Sequence, residues 1–172
     1  MIHGMNFVLD ANVFIEAKRR YYAFDLCPGF WEALRWHHAR GELVSIDRVK
    51  DELKKGKDDL TDWVNNRMPD GGFVASDEAD VVEWYGKMVA WVQAEPQYFD
   101  EAKAEFARVP DAWVTAYAKA KGAVLVTHEV PAPDARKKVP IPNVCQEFDI
   151  PYIDSFEMLR TLRARFNWER PA

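Results

Sequence analysis

Two short runs built only of apolar residues constrain the fold of this chain more than any other sequence feature. They are Phe7-Val8-Leu9 and Val124-Leu125-Val126, and each ends at a polar residue. Apolar runs of this length are typical of strands that are buried on both faces, as the strands of a parallel sheet are. We therefore predict two central, adjacent strands at residues 6–9 and 123–127.

Helical patterns and shorter strands fill the rest of the chain. The predicted helices cover residues 28–40, 47–55, 62–67, 76–94, 97–107 and 110–121, and the predicted shorter strands cover 43–46, 73–74 and 151–153. Asn12 and Ser76 are the predicted N-caps of the first helix and of the longest one, and Asp154 with Glu157 forms a capping box for a C-terminal helix. Because helices of about ten or more residues connect the strands, the strands should pair in parallel through right-handed crossovers. The predicted fold class is α/β, a three-layer α/β/α sandwich with a central, mainly parallel sheet.

Length and composition predict a single globular domain over residues 1–172, with a proline-rich loop at 130–143. Hydrophobic residues make up 48% of the chain and charged residues 30%, which excludes intrinsic disorder. No apolar run approaches the roughly 18 residues that span a bilayer, and the first residues lack the charged and apolar regions of a signal peptide. We therefore expect a cytoplasmic protein without a membrane anchor. Cys27 and Cys145 have no second Cys or His at ligand spacing, which favours packing roles over zinc binding.

The predicted topology brings four carboxylates to one edge of the sheet. Asp10 and Glu129 follow the two central strands, Asp111 opens the helix at 110–121, and Glu52 lies early in the helix after the second strand. Ligands of open parallel sheets bind at this edge, outside the carboxyl ends of the strands. Unpaired acids so close together repel each other, and a hard divalent cation such as Mg²⁺ or Mn²⁺ removes the repulsion. Such an ion activates water and stabilises charge on a phosphoryl group, so phosphodiester hydrolysis is the expected chemistry.

Each of these acids also has an ordinary structural interpretation. Glu52 is typical of a solvated helix residue, Asp111 of an acid that favours its helix dipole, and Glu129 of a surface acid. Only Asp10 indicates a site by itself, so the prediction depends on the convergence of all four. The net charge of −5 is the reverse of the basic excess usual in nucleic-acid binders, but bound metal would neutralise clustered acids locally.

Basic side chains near the predicted acids are candidates for contacts with substrate phosphates. They are Arg19, Arg20, Arg136, Lys137 and Lys138. The first two belong to a segment with two tyrosines, a composition that suits both phosphate binding with aromatic stacking and a solvated helix end. The last three belong to the proline-rich loop beside Glu129, where substrate contact is the favoured interpretation. His128 is adjacent to Glu129, where substrate contact is one interpretation and a structural role is the favoured one.

Several segments together resemble the motifs of PIN-domain nucleases. The opening segment is Phe7-Val8-Leu9-Asp10-Ala11-Asn12-Val13-Phe14-Ile15, and Val49-Lys50-Asp51-Glu52-Leu53 follows the second strand. Pro110-Asp111-Ala112-Trp113-Val114-Thr115-Ala116-Tyr117-Ala118 stands in a later helix, and Val124-Leu125-Val126-Thr127 precedes an acid by two positions. These motifs occur in the family's order and extend over nearly the whole chain. The chain therefore resembles a divergent branch of the family that is similar to the VapC-type toxins.

The resemblance implies a PIN fold and a Mg²⁺- or Mn²⁺-dependent endoribonuclease, often the toxin of a toxin–antitoxin pair. It places Asp10, Asp111 and Glu129 as metal ligands and Glu52 as a fourth catalytic acid. Asn12 would orient the first acid and Thr127 would support the site by hydrogen bonding. The implied partners are RNA, a cognate antitoxin and a second copy of the chain. Trp84 and Trp91, on one helix face, belong either to the core or to such a dimer or antitoxin surface.

The sequence departs from the family pattern in ways that keep two alternatives open. The family usually has Asp where this chain has Glu129, and the helical insertion at about 76–108 and the proline-rich loop are unusual. A PIN-like binding module whose metal site has decayed is one alternative. The other is a metal-dependent phosphatase with an Asp nucleophile, which would require a second Asp where Asn12 stands.

Overall fold

The strands form a parallel sheet in a computed structural model that describes residues 6–172. The strands among these residues are β1 (Phe7–Leu9), β2 (Leu43–Ile46), β3 (Phe73–Val74), β4 (Val124–Val126) and β5 (Tyr152–Ile153). They are ordered β3-β2-β1-β4-β5, and every pairing between neighbours is parallel. The prediction of a parallel α/β sheet is confirmed. The predicted domain of residues 1–172 and the interpretation of its first residues extend to residues 1–5, outside the described residues.

Helices flank the sheet and complete the predicted three-layer sandwich. In the described part of the chain they are α1 (Ala11–Glu16), α2 (Pro28–Ala39), α3 (Asp47–Lys54), α4 (Asp59–Asn66), α5 (Ala79–Ala94), α6 (Asp100–Arg108), α7 (Pro110–Lys121), α8 (Ile141–Glu147) and α9 (Ser155–Thr161). A π-helical segment, Ala17–Tyr21, continues α1. None of these helices combines the length and the apolar character required to cross a bilayer.

The two apolar runs occupy the centre of the sheet, as predicted. Phe7 pairs with Leu43 of β2 on one side and with Val124 of β4 on the other. Side chains of both strands are buried, and Val8, Leu9, Leu125 and Val126 are fully enclosed. The chain leaves β1 towards β2 and reaches β4 on the opposite side, so the strand order reverses between β1 and β4. A crevice at such a reversal is the usual ligand site of open α/β sheets.

Several helix ends were predicted correctly. Gly122 ends α7 in the left-handed conformation at φ 62°, which suits glycine. The Asp154 side chain caps α9 by accepting a hydrogen bond from the Glu157 backbone N–H at 2.8 Å.

The cysteines are free among the described residues, and Cys145 is buried, as its packing role requires.

Several predicted boundaries were wrong, including the starts of the helices predicted at 62–67 and 97–107, which begin at Asp59 and Asp100. Helix α1 begins at Ala11, so Asn12 is its second residue rather than its N-cap, and Asp10 holds the N-cap position. Helix α5 begins at Ala79 with Glu78 at its N-cap position, while the Ser76 hydroxyl donates to Asp47. The proline-rich loop ends at residue 140, because Pro142 lies in the first turn of α8, where its missing N–H costs nothing.

The helices α5 and α6 fill the predicted insertion. Both Trp84 and Trp91 of α5 pack against Phe148, with ring centroids 6.3 and 5.9 Å from it. Lys87 and Lys119 also lie over the Trp84 ring. These two tryptophans therefore have packing partners within the chain, which supports the core interpretation.

Candidate functional site

Asp10 lies where β1 ends and α1 begins, at the reversal of strand order. Its backbone N–H donates to the Val126 carbonyl at 3.0 Å, which extends the β1–β4 ladder. The Thr127 hydroxyl donates to Asp10 Oδ2 at 3.1 Å, so both the backbone and the side chain of Asp10 are fixed by β4 and the residue after it. The Asp10 side chain is held inside the protein, with 1% of the residue exposed. This is the hydrogen bond that the family resemblance implies for Thr127.

Burial makes the Asp10 carboxyl an unusual acid. Desolvation, followed by the charges of Asp111 and Glu129, raises its pKa from 3.8 to about 8. The hydrogen bond from Thr127 opposes this shift because it stabilises the carboxylate. The chain therefore holds a carboxyl group at this position whose negative charge is poorly compensated by the surrounding residues.

Asp111 faces Asp10 from the first turn of α7. The Thr115 hydroxyl donates to the Asp111 backbone carbonyl at 2.6 Å, which anchors this turn. Desolvation raises the pKa of Asp111 to about 6, and the charge of Glu129 adds to the shift. Lys138 opposes the shift, whereas Glu52 and the exposed Glu105 increase it. Too little positive charge therefore lies near Asp10 and Asp111 to compensate both carboxylates.

Glu129 is already engaged by the chain itself. One carboxylate oxygen, Oε1, accepts a hydrogen bond from Lys138 Nζ, and the other, Oε2, accepts one from the Ile141 backbone N–H at 2.7 Å. Its own backbone N–H donates to Thr127 Oγ1 at 3.1 Å. Glu129 therefore ties the proline-rich loop and the start of α8 to β4. Each carboxylate oxygen accepts one hydrogen bond, so a direct metal contact would have to share an oxygen with Lys138 or with the Ile141 N–H.

A cavity of about 340 Å³ joins the acids, and we call it the acid cavity. It is lined by Asp10, Ala11, Asn12, Ile15, Glu52, Glu105, Val109, Pro110, Asp111, Lys137 and Lys138. Glu52 reaches this cavity but also pairs with Lys55 at 2.7 Å, and about a third of its side chain is exposed. The structure therefore brings together Asp10, Asp111 and Glu52 as predicted, with Glu129 bound to the cavity wall through Lys138.

Glu105, which was not predicted as a site residue, lines the same cavity from α6. Its place depends on the turn between α6 and α7, and no spacing in the sequence indicates it. Glu16 was also not predicted, and it lines a second cavity together with Asn12 and Lys138. The spacing of four residues between Asn12 and Glu16 was a usable signal, because residues four apart share a helix face.

The predicted basic contacts divide into two groups. Lys137 and Lys138 line the acid cavity, and Arg20 lines the second cavity. Arg19 and Arg136 line neither of these two cavities. Partial desolvation lowers the pKa of Lys138, but the hydrogen bond to Glu129 and the charges of Glu129, Asp111 and Asp10 outweigh it and raise the pKa above 10.5. Lys138 is thus a lasting positive charge at the boundary of both cavities.

The acids fit a sparsely coordinated cation better than a closed protein cage. Within residues 6–172, no group of three or more His, Cys, Asp or Glu side chains is arranged to hold a metal ion. Mg²⁺ commonly keeps several waters and binds through one or two carboxylates together with substrate phosphates. Asp10 and Asp111, whose charges are poorly compensated, suit that mode, and Glu52 and Glu105 line the same cavity.

Comparisons with known proteins place the chain in a family and in a fold. A family model described as "Domain of unknown function (DUF4411)" matches residues 7–166. A comparison with curated proteins finds no match. Among solved structures, a chain from the crystal structure of VapBC2 from Rickettsia felis bound to a DNA fragment from their promoter is similar, with a TM-score of 0.54 and 14% sequence identity. The similarity covers 87% of this chain and 98% of that chain, and it confirms a PIN-like fold.

Proposed function

The chain belongs to the DUF4411 family, and we propose that it is a divalent-metal-dependent endoribonuclease that hydrolyses RNA phosphodiester bonds. One observation carries the proposal. The pair Asp10 and Asp111 is placed at the strand reversal with raised pKa values, so the acid cavity has a deficit of positive charge that a divalent cation would fill. The PIN-like fold and the order of the sequence motifs support the same interpretation.

Each residue of the acid cavity has a distinct part in the proposed reaction. Asp10 and Asp111 hold Mg²⁺ or Mn²⁺, and Thr127 keeps Asp10 in position. A bound divalent ion supplies Lewis-acid activation of water and neutralises charge on the phosphoryl group. Lys137 and Lys138 line the cavity and attract the phosphodiester, which offsets the overall charge of −5.

Glu52 and Glu129 contribute at a greater distance in this proposal. Glu52 lines the cavity while paired to Lys55, so it would influence a bound cation mainly through its charge. Glu129 holds Lys138 and the start of α8, so it fixes the wall that the substrate contacts. The proposal therefore depends on Asp10 and Asp111 more than on the two glutamates.

We extend the proposal to protein partners, an antitoxin and a second copy of the chain. The resemblance to VapC-type toxins supports the antitoxin, and the negative net charge suits a basic partner. Co-expression with the product of the neighbouring gene, followed by purification of a complex, tests the antitoxin. Sedimentation velocity of the purified chain tests the homodimer.

The test of the nuclease proposal is a cleavage assay on structured and single-stranded RNA, with Mn²⁺ and with EDTA. It compares the wild type with Asp10→Asn, and it uses Asp70→Asn as the control because Asp70 is an exposed residue of the turn before β3. We expect cleavage that requires metal, is lost in Asp10→Asn and persists in Asp70→Asn. Cleavage that persists in EDTA or in Asp10→Asn would contradict the proposal. A folded protein that neither cuts RNA nor binds Mn²⁺ would favour the alternative of a PIN-like binding module.

A further inference from the structure

A second cavity lies directly beside the acid cavity, and we call it the aromatic cavity. Its volume is about 340 Å³, and it is lined by Asn12, Glu16, Arg20, Tyr21, His128, Glu129 and Lys138. Asn12 and Lys138 line both cavities, so they form the wall between them. The volume falls at the lower end of the range of about 300–1,000 Å³ that small-ligand pockets span. A group of the size of one nucleotide therefore fits next to the carboxylates.

Two rings, Tyr21 and His128, line this cavity, and the Phe156 ring packs against both of them. Tyr21 ends the π-helical segment, and its ring centroid lies 5.8 Å from that of His128 and 5.2 Å from that of Phe156. His128 and Phe156 lie 5.8 Å apart, and His128 Nε2 lies 2.9 Å from Ser155 Oγ. These contacts hold the ring cluster together, yet 47% of Tyr21 is exposed. Packing within the chain therefore leaves nearly half of the surface of Tyr21 open to solvent or a ligand.

The charges of the aromatic cavity are already balanced, unlike those of its neighbour. Arg20 Nε lies 3.0 Å from Glu16 Oε2, and Lys138 is hydrogen-bonded to Glu129. Each acid of the cavity thus has a basic partner, and no cation deficit is present to draw a metal ion. The cavity instead offers an open aromatic ring, and the paired Arg20 and Lys138 retain further N–H donors, because a guanidinium has five and an ammonium has three. Aromatic rings beside basic groups are the usual means of holding unpaired bases of single-stranded nucleic acids.

We propose that the aromatic cavity is a subsite for one unpaired RNA base, which stacks on Tyr21, with Arg20 and Lys138 contacting the adjoining phosphate. This inference rests on the proposed nuclease function and adds the substrate class to it. A base inside a duplex is stacked on its neighbours and cannot lie against Tyr21. The chain therefore selects RNA that is single-stranded next to the scissile bond.

The test measures binding rather than cleavage, so that it does not depend on the metal. A fluorescently labelled single-stranded RNA octamer and the same sequence in a duplex are titrated with the full chain in EDTA at low salt, and anisotropy gives the affinities. The variants are Tyr21→Ala, Tyr21→Phe, which retains the ring, and Trp36→Ala. Trp36 is the matched control because it is an exposed aromatic residue of α2 that does not line the cavity.

We expect the single strand to bind at least about tenfold more tightly than the duplex, and Tyr21→Ala to remove about tenfold of that affinity. Tyr21→Phe and Trp36→Ala should bind as the wild type does. The subsite would be overturned if the duplex bound as tightly as the single strand, or if Tyr21→Phe lost as much affinity as Tyr21→Ala. It would also be overturned if all the variants bound as the wild type does, or if no protein bound the RNA detectably. Circular dichroism of each variant shows whether a loss reflects unfolding, and Tyr21→Phe decides the matter if Tyr21→Ala does not fold.

The outcome separates this inference from the nuclease proposal. Binding that depends on Tyr21, without metal-dependent cleavage, would support the subsite and contradict the nuclease. Cleavage that requires Asp10, with binding indifferent to Tyr21, would support the nuclease and contradict the subsite.

Discussion

The four carboxylates that the sequence places at one edge of the sheet form two unlike pairs in the structure. Asp10 and Asp111 form no ion pair with a basic side chain among the described residues, and their pKa values are raised to about 8 and about 6. Glu52 and Glu129 are bound to Lys55 and Lys138. When ionised, the aspartates therefore carry charge that a ligand can compensate, whereas each glutamate already has a basic partner within the chain. The difference separates residues suited to binding a cation from residues suited to shaping its surroundings.

The largest expected effect is on catalysis. Asp111→Asn should lower RNA cleavage by more than about 100-fold, because it removes a proposed direct ligand of the cation. Losing a residue that only supports a metal ligand costs up to about 100-fold, and a direct ligand should cost more. Glu52→Gln should lower cleavage by less than about tenfold, since the Glu52 carboxylate is already paired with Lys55 and is partly exposed. Single-turnover rates at saturating Mn²⁺ measure both variants. Equal losses in the two variants would break the distinction between the pairs.

The next effect is on the pH dependence of stability without divalent metal. The pKa of Asp10 is 3.8 in the unfolded chain and about 8 in the folded chain. Between these two pH values the folded state therefore binds more protons than the unfolded state. The free energy of unfolding should therefore fall as the pH rises through this window, and Asp111 adds to the fall up to about 6. Asp10→Asn should remove most of this fall and be more stable than the wild type at the upper end. Urea unfolding in EDTA at several pH values measures the difference, and parallel curves would contradict the account.

Glu129 should affect stability more than metal binding. Glu129→Ala leaves the Ile141 N–H and Lys138 without their acceptor, so the free energy of unfolding should fall by about 1–3 kcal/mol. Glu129→Gln keeps an oxygen for the Ile141 N–H and should lose less. Thermal unfolding of the three proteins gives the comparison. A wild-type melting temperature in Glu129→Ala would show that the loop is held by other contacts.

The smallest expected effect is at Glu52. Its pairing with Lys55 is a partly exposed contact between residues three apart, and such pairs contribute roughly 0–1 kcal/mol. Lys55→Met and Glu52→Gln should each change the free energy of unfolding by less than about 1 kcal/mol. Chemical denaturation measures both changes. A larger loss would mean that Glu52 belongs with the aspartates as a member of a coupled site.

The centre of the sheet and the position of Asp10 were predictable because both depend on local pattern. An apolar run that ends at an acid indicates a buried strand and its carboxyl end. The long helices between the strands then indicate that the strands pair in parallel. Gly122 and Asp154 were equally readable, because each acts on its own helix end. These features require no knowledge of distant contacts.

The difference between the two pairs was not predictable, because it depends on how loops close in space. Glu129 is bound to Lys138 and Ile141 only because the proline-rich loop folds back onto β4. The same contact stabilises the first turn of α8. This helix was not predicted, because the prolines around its start indicated a loop. Likewise, Tyr21 reaches His128 and Phe156 through a π-helical segment, for which the sequence carries no recognised signal.

The most direct test of the account is the thermal stability of the chain during titration with Mn²⁺ at a pH near 8. A ligand that binds only the folded state adds about 2.7 kcal/mol at 100 times its dissociation constant. We predict that the wild type and Glu52→Gln gain stability as Mn²⁺ is added, and that Asp10→Asn and Asp111→Asn do not. A wild type that gains nothing, or an Asp10→Asn variant that gains as much as the wild type, would contradict the claim that the two aspartates form the cation site.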